Sequence, residues 1–190
     1  MRECKSVLIA LTGASGVIYA ERLIQVLAEK KTPRIAGLVY SASALKVYEL
    51  ELGKELHVPS EVKVYSENDF TSPFASSSSL PECMVIVPAS MNTIAKIAAG
   101  LQDNLITRAA SAMLRTRRRL VVVPRETPLG VVELENMLKL ARMGAVILPA
   151  CPGFYHMPKK LGDLVDFMVG KILDSLGVEN DLYKRWGQKR

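Results

Sequence analysis

The chain has 190 residues, 49% hydrophobic and 23% charged, a composition that suits one globular domain burying most of its own apolar surface. Its 25 Lys and Arg against 19 Asp and Glu leave a formal charge of +6, a basic excess without the interleaved aromatics of a nucleic-acid surface. No apolar run reaches the roughly 20 residues of a membrane span, and three scattered cysteines and two histidines show neither a disulfide framework nor metal-ligand spacing. Partners are therefore expected to be small molecules, with no nucleic acid, membrane or metal among them. The N-terminus, Met1-Arg2-Glu3-Cys4-Lys5, runs into a strand-like segment without a signal-peptide pattern, so a cytoplasmic location is expected.

Taken in chain order, Ser6 to Leu11 is an apolar run that ends at Gly13-Ala14-Ser15-Gly16. A helix-like stretch follows to about Lys30. Ile35 to Tyr40 reads as a second strand, and Ser41 opens a helix to about Leu52. Val62 to Tyr65 is a short third strand, and the Ser- and Pro-rich stretch from Thr71 to Pro81 reads as a loop. Three similar units follow: Met84–Val87 before Pro88, Leu120–Val123 before Pro124, and Val146–Leu148 before Pro149. Continuous short apolar runs suit strands buried on both faces of a parallel sheet, and each proline is expected to stop its strand by removing a ladder donor. Helices are expected near 91–99, 103–115, 131–142 and 163–176.

Strands alternating with helices predict an α/β fold with an open parallel sheet, in one domain spanning 1–190. Its core is placed at about 5–177, with a polar tail, 178–190, that packs on a neighbouring subunit or frays. Ligands of such sheets sit beyond the carboxyl ends of the strands. Those ends carry Gly13-Ala14-Ser15-Gly16, Ser41, Ala89-Ser90-Met91-Asn92-Thr93, Arg125-Glu126-Thr127 and Ala150-Cys151. The first turn lacks the GxGxxG spacing, and no acidic residue follows Tyr40 to hold an adenosine ribose, which disfavours NAD. No GxxxxGK[ST] loop is present. Ser15, Ser41, Ser90 and Thr93 each have the chemistry of a helix cap. As a set they suit a single phosphate with a flat ring, because helix N-termini offer free N–H groups and positive potential.

A second polar set lies downstream. Arg108 and Arg115 are two helical turns apart on one face, Arg125-Glu126 directly follows a strand and is expected to pair locally, and Tyr155 and Lys171 come later. The run Arg115, Arg117, Arg118, Arg119 reads first as cations at a helix C-terminus.

These segments, and above all Pro124-Arg125-Glu126-Thr127-Pro128-Leu129 followed by Glu135-Asn136-Met137-Leu138, resemble the UbiX-type flavin prenyltransferases of the flavin-containing cysteine decarboxylase superfamily. Thr12–Gly16, Ser90–Ala98, Asp103–Ala110 and Phe154-Tyr155-His156 match as well, so the likeness spans about residues 5–177. The resemblance implies a Rossmann-like three-layer domain in a large homo-oligomer, a dodecamer. It implies metal-independent transfer of a dimethylallyl group from dimethylallyl monophosphate to N5 and C6 of reduced FMN, making prenylated FMN for UbiD-type decarboxylases. The implied FMN contacts are Gly13, Ala14, Ser15, Ser41, Ser90, Met91, Asn92, Thr93 and Arg125. The implied prenyl-phosphate contacts are Tyr155 and Lys171, with Arg108, Arg115 and Glu126 nearby, and Glu51 reaches a neighbouring subunit's site. Arg115 stands where many relatives carry Lys, and Lys171 where some carry Arg. Ser15, Glu126 or the released phosphate is the expected acceptor of the C6 proton. Two alternatives share the scaffold: an FMN-dependent decarboxylase of cysteine peptides, for which the expected histidine before residue 80 is missing, and a non-catalytic flavin carrier.

Overall fold

The computed structural model describes residues 4–187. Six strands, β1 (Ser6–Leu11), β2 (Arg34–Tyr40), β3 (Val64–Ser66), β4 (Cys83–Ala89), β5 (Arg119–Pro124) and β6 (Val146–Ile147), form one parallel sheet in the order β3-β2-β1-β4-β5-β6. The helices are α1 (Val17–Lys30), α2 (Ala42–Leu52), α3 (Met91–Ala99), α4 (Leu105–Arg115), α5 (Val131–Arg142) and α6 (Leu161–Leu176). None is long and apolar enough to cross a membrane.

The two sides of the sheet bury separate cores. Val7, Ile9 and Leu11 of β1 pack with α1, α2 and α6, while Leu8 and Ala10 face α3, α4 and α5. This alternation is the two-residue period of a strand, and burial on both sides explains why β1 and β4 read as unbroken apolar runs. Each fully buried Leu or Ile of this kind contributes about 1.5–3 kcal/mol. The chain crosses to the other face between β3 and β4. The strand order therefore reverses between β1 and β4, and a crevice opens beyond their carboxyl ends.

Several expectations change. Pro88 does not stop its strand, since β4 runs on to Ala89, whereas β5 does end at Pro124. The pairing of β4 with β5 shifts between Ile86 and Ala89, so the ladder absorbs the missing donor as an irregularity. The third strand starts two residues later and ends one residue later than expected, and the sixth is only two residues long. The 71–81 stretch is not plain loop but holds 3₁₀ turns at Pro73–Ala75 and Ser77–Ser79, pinned by buried Phe74 and Leu80.

The cysteine reading is also corrected. Cys4 and Cys83 form a disulfide, since Cys4 precedes β1 and Cys83 opens its neighbour β4. A separation of 79 residues hides a pairing that strand adjacency creates. Cys151 is the free cysteine among the described residues. The tail, through Arg185, docks on its own chain: Tyr183 is buried, and Arg185 pairs with Asp174 of α6 at 2.7 Å. Of the arginine run, Arg118 donates to the Pro81 carbonyl at 3.0 Å and Arg119 to that of Leu176, so both tie down chain ends near the amino edge of the sheet.

Candidate functional site

The crevice floor is built by one threonine. The Thr12 hydroxyl donates to the Pro88 carbonyl at 2.8 Å and accepts from the Ser90 amide at 2.8 Å. It thereby locks the end of β1 to the end of β4, buried from water. From that lock the Gly13–Gly16 turn rises into α1. Gly13 is required by contact, because a Cβ there would lie 2.6 Å from Ser43 Cβ, and Gly16 by its left-handed φ of 99°.

The first turns of the surrounding helices differ in what already fills them. At α1 the Glu51 carboxylate accepts from the Gly16 amide (2.9 and 3.1 Å) and the Val17 amide (3.2 Å). Within its own chain it is thus engaged at the start of α1. At α2 Glu67 accepts from the Ala42 amide at 2.9 Å. Glu133 and Asp163 instead reach back to amides that precede their helices, accepting from Gly130 before α5 and from Lys159 and Lys160 before α6. The first-turn amides of Met91 and Asn92 in α3 have no side-chain acceptor among the described residues. Ser90 caps only the third, accepting from the Thr93 amide at 3.3 Å. Carboxylates and anions compete for the same positive helix ends, and with no carboxylate on its first turn α3, at the switch point, is open to an anion.

Of the four expected caps, Ser41 and Ser90 cap their helices. Ser15 does not, since Gly16 holds that position, and Thr93 lies inside α3, its hydroxyl 3.0 Å from that of Ser90. Ser41 Oγ is already shared between the Ala44 amide and Ser43 Oγ. The expected Arg125–Glu126 pair is absent. Glu126 is exposed and accepts from the Thr127 amide at 3.0 Å, a bond too local to bring it to Arg125. Arg125 instead keeps a buried Nε with no partner among the described residues, at the end of β5, whose last pairing is with Ala89. A buried, unpaired guanidinium nitrogen is costly. Beside the open turn of α3, it fits a bound phosphate or a ring carbonyl.

A second group lies beyond β6. Phe167 of α6 stands between Tyr155 (ring centroids 5.7 Å apart) and Lys171, whose Nζ is 5.6 Å from its ring centroid. A hydrogen bond with Tyr183 raises the pKa of Lys171, so its ammonium stays charged at any working pH. Lys171, Phe167 and Cys151 line a cavity of about 490 Å³. Tyr19 connects the two groups by packing near Phe167, and burial, then Cys151 and Glu51, raise its phenol.

Arg108 and Arg115 do not join them. Both are exposed on α4, across the sheet from Lys171. Arg108 Nε donates to the Ala75 carbonyl at 2.7 Å near the carboxyl edge. Arg115 ends the helix about 10 Å further along its axis, close to the start of β5 at the opposite edge. One chain therefore assembles Ser15, Ser90–Thr93 and Arg125 on one side of the crevice and Tyr155 with Lys171 beyond β6, and leaves Arg115 pointing elsewhere. Thr12, Glu67 and Phe167 were not anticipated. Thr12 carried a readable signal as the polar residue directly after an apolar run, whereas the other two depend on tertiary contacts.

A parallel three-layer domain with an open helix end and an unpaired arginine at its switch point defines a binder of a phosphorylated, ring-bearing ligand. The Flavoprotein family model matches residues 1–173. A UbiX flavin prenyltransferase from Methanothermobacter thermautotrophicus is 47% identical over 100% of this chain and 99% of its own. A UbiX protein solved with FMN and dimethylallyl pyrophosphate superposes with TM-score 0.88 at 36% identity, covering all of both chains. A dodecameric FMN-dependent UbiX-like decarboxylase from Escherichia coli O157:H7 gives 0.87 at 35% identity, over 96% of this chain and 100% of its own. The chain belongs to the Flavoprotein family and, within it, to the UbiX flavin prenyltransferases.

Proposed function

We propose that this chain transfers the dimethylallyl group of dimethylallyl monophosphate to N5 and C6 of reduced FMN, working as a homo-oligomer and supplying prenylated flavin to a UbiD-type decarboxylase. The observation that carries the reading is the buried, unpartnered Arg125 Nε beside the open first turn of α3, with a separate charged and aromatic group at Lys171, Phe167 and Tyr155. A flavin carrier needs the first group only.

Arg125 and the Met91 and Asn92 amides bind FMN, with Gly13, Ala14, Ser15, Ser41, Ser90 and Thr93 shaping the wall around it. Reduced FMN, when bound, supplies an electron-rich N5 and C6. Lys171 stabilises the departing phosphate as a permanent cation, and Tyr155 donates its hydroxyl hydrogen to it. Arg108 lies near the loop that borders the crevice, and Arg115 adds its charge to the site of another copy. Ser15, half-buried with an unengaged hydroxyl, and Glu126, exposed with one carboxylate oxygen free, are the groups placed to take a proton.

The test is phosphate release under anaerobic conditions. Reduced FMN and dimethylallyl monophosphate are expected to yield one inorganic phosphate per flavin consumed, with Lys171→Ala lowering the rate at least tenfold. No FMN-dependent release, with the diphosphate donor also tried, contradicts the reading.

A further inference from the structure

Glu67 follows the edge strand β3 and touches three elements. Its amide donates to the Tyr40 carbonyl at the end of β2 (2.9 Å), and its own carbonyl accepts from the Leu105 amide at 2.7 Å. One carboxylate oxygen accepts from the Ala42 amide at 2.9 Å, and the other from Asn104 Nδ2 at 3.0 Å. Ala42 opens α2, directly after Ser41. Asn104 caps α4, accepting from the Thr107 amide at 2.9 Å, one turn before Arg108.

Resting on the transferase reading above, we propose that Glu67 is a positioning residue that sets the flavin wall at Ser41 and the arginine-bearing end of α4 relative to each other. Two donors on different helices meet one carboxylate, and only a group with two acceptor oxygens satisfies both. The Asn104 side chain is committed in both halves, its oxygen to its own helix and its nitrogen to Glu67. A change at Glu67 therefore reaches Arg108 through the first turn of α4, and Ser41 through the first turn of α2. The same anchor borders the 72–80 segment, whose Ala75 carbonyl holds Arg108 Nε.

Glu67→Gln keeps one acceptor oxygen for Ala42 and turns an NH₂ group toward the Asn104 NH₂. Asn104→Asp alone sets two carboxylates face to face while remaining a good helix cap. Combined, the two changes restore a donor–acceptor pair with the polarity exchanged. The measurements are the FMN dissociation constant by flavin fluorescence, KM and kcat for dimethylallyl monophosphate, and the melting temperature. Each single variant is expected to raise the FMN constant and the donor KM about five- to tenfold, with kcat changed less than about threefold. The double variant is expected to return both constants to within about threefold. Single variants with unaltered constants overturn the proposal, whatever their melting temperature, as does a double variant no better than the singles. Should the Glu67→Gln chain fail to fold, Asn104→Asp carries the test alone, and unaltered constants there overturn it. If the unsubstituted protein binds FMN but turns over no donor, the transferase reading fails while the FMN constants still decide the role of Glu67.

Discussion

Arg125 concentrates the residue-scale argument, because the fold buries one of its nitrogens and supplies nothing to satisfy it. If a bound flavin completes that group, Arg125→Ala removes a charge-assisted hydrogen bond of about 1.5–3 kcal/mol. The FMN dissociation constant should then rise roughly 10- to 100-fold in a fluorescence titration. Arg125→Lys should recover little, since an ammonium lacks the guanidinium's directed Nε donor. Unchanged affinity in the alanine variant would separate this nitrogen from the flavin. The arginine itself was legible as the charge after an apolar strand. Its missing partner was not, because adjacency in sequence suggested Glu126, and backbone direction at the end of β5 decided otherwise. Ser15 shows the same limit: a one-residue difference in where α1 begins moved the cap to Gly16 and left the serine hydroxyl unengaged.

Helix starts and chain ends dominate at the scale of elements. Helix positions were readable from apolar spacing, and α3 and α5 have their expected bounds. What fills each first turn was not readable, because Glu51 and Glu67 lie 35 and 25 residues from the amides they cap. The tail gives an element-scale prediction. Burial opposes ionisation of Asp174, yet hydrogen bonds from Arg185, Tyr183 and Asn180 outweigh it and hold its carboxyl below the ordinary range. A depressed carboxylate contributes stability above its unfolded value near pH 4 and loses it as pH falls through the folded value. The chain has one tryptophan, Trp186, whose ring centroid is 5.4 Å from that of Tyr155. Its fluorescence anisotropy is expected to stay level from pH 7 to about pH 5 and to drop below about pH 4 as the tail loosens. Asp174→Asn should show the lower value already at pH 7. Anisotropy unaffected by that substitution would mean that Asp174 does not hold the tail.

At the scale of the whole molecule, the parallel sheet and its ligand-bearing edge followed from alternating apolar runs and helices. The disulfide and the strand order needed the fold, because they join residues 76 to 79 positions apart through β1 and β4. The placement of Arg115 at the amino edge gives the assembly its test. If that charge serves another copy's site, Arg115→Ala and Arg125→Ala chains should be inactive separately and active when co-assembled. Random pairing restores about one quarter of the sites. Mixed assemblies as inactive as their parents would confine each site to one chain.

The central claim is tested most directly by the mass of the flavin. The protein is incubated without oxygen with reduced FMN and dimethylallyl monophosphate, and the flavin is extracted and weighed by mass spectrometry. A flavin heavier by one C5H8 unit, absent when the protein is omitted, is the predicted result. FMN of unchanged mass, with the diphosphate donor also supplied, would contradict the account.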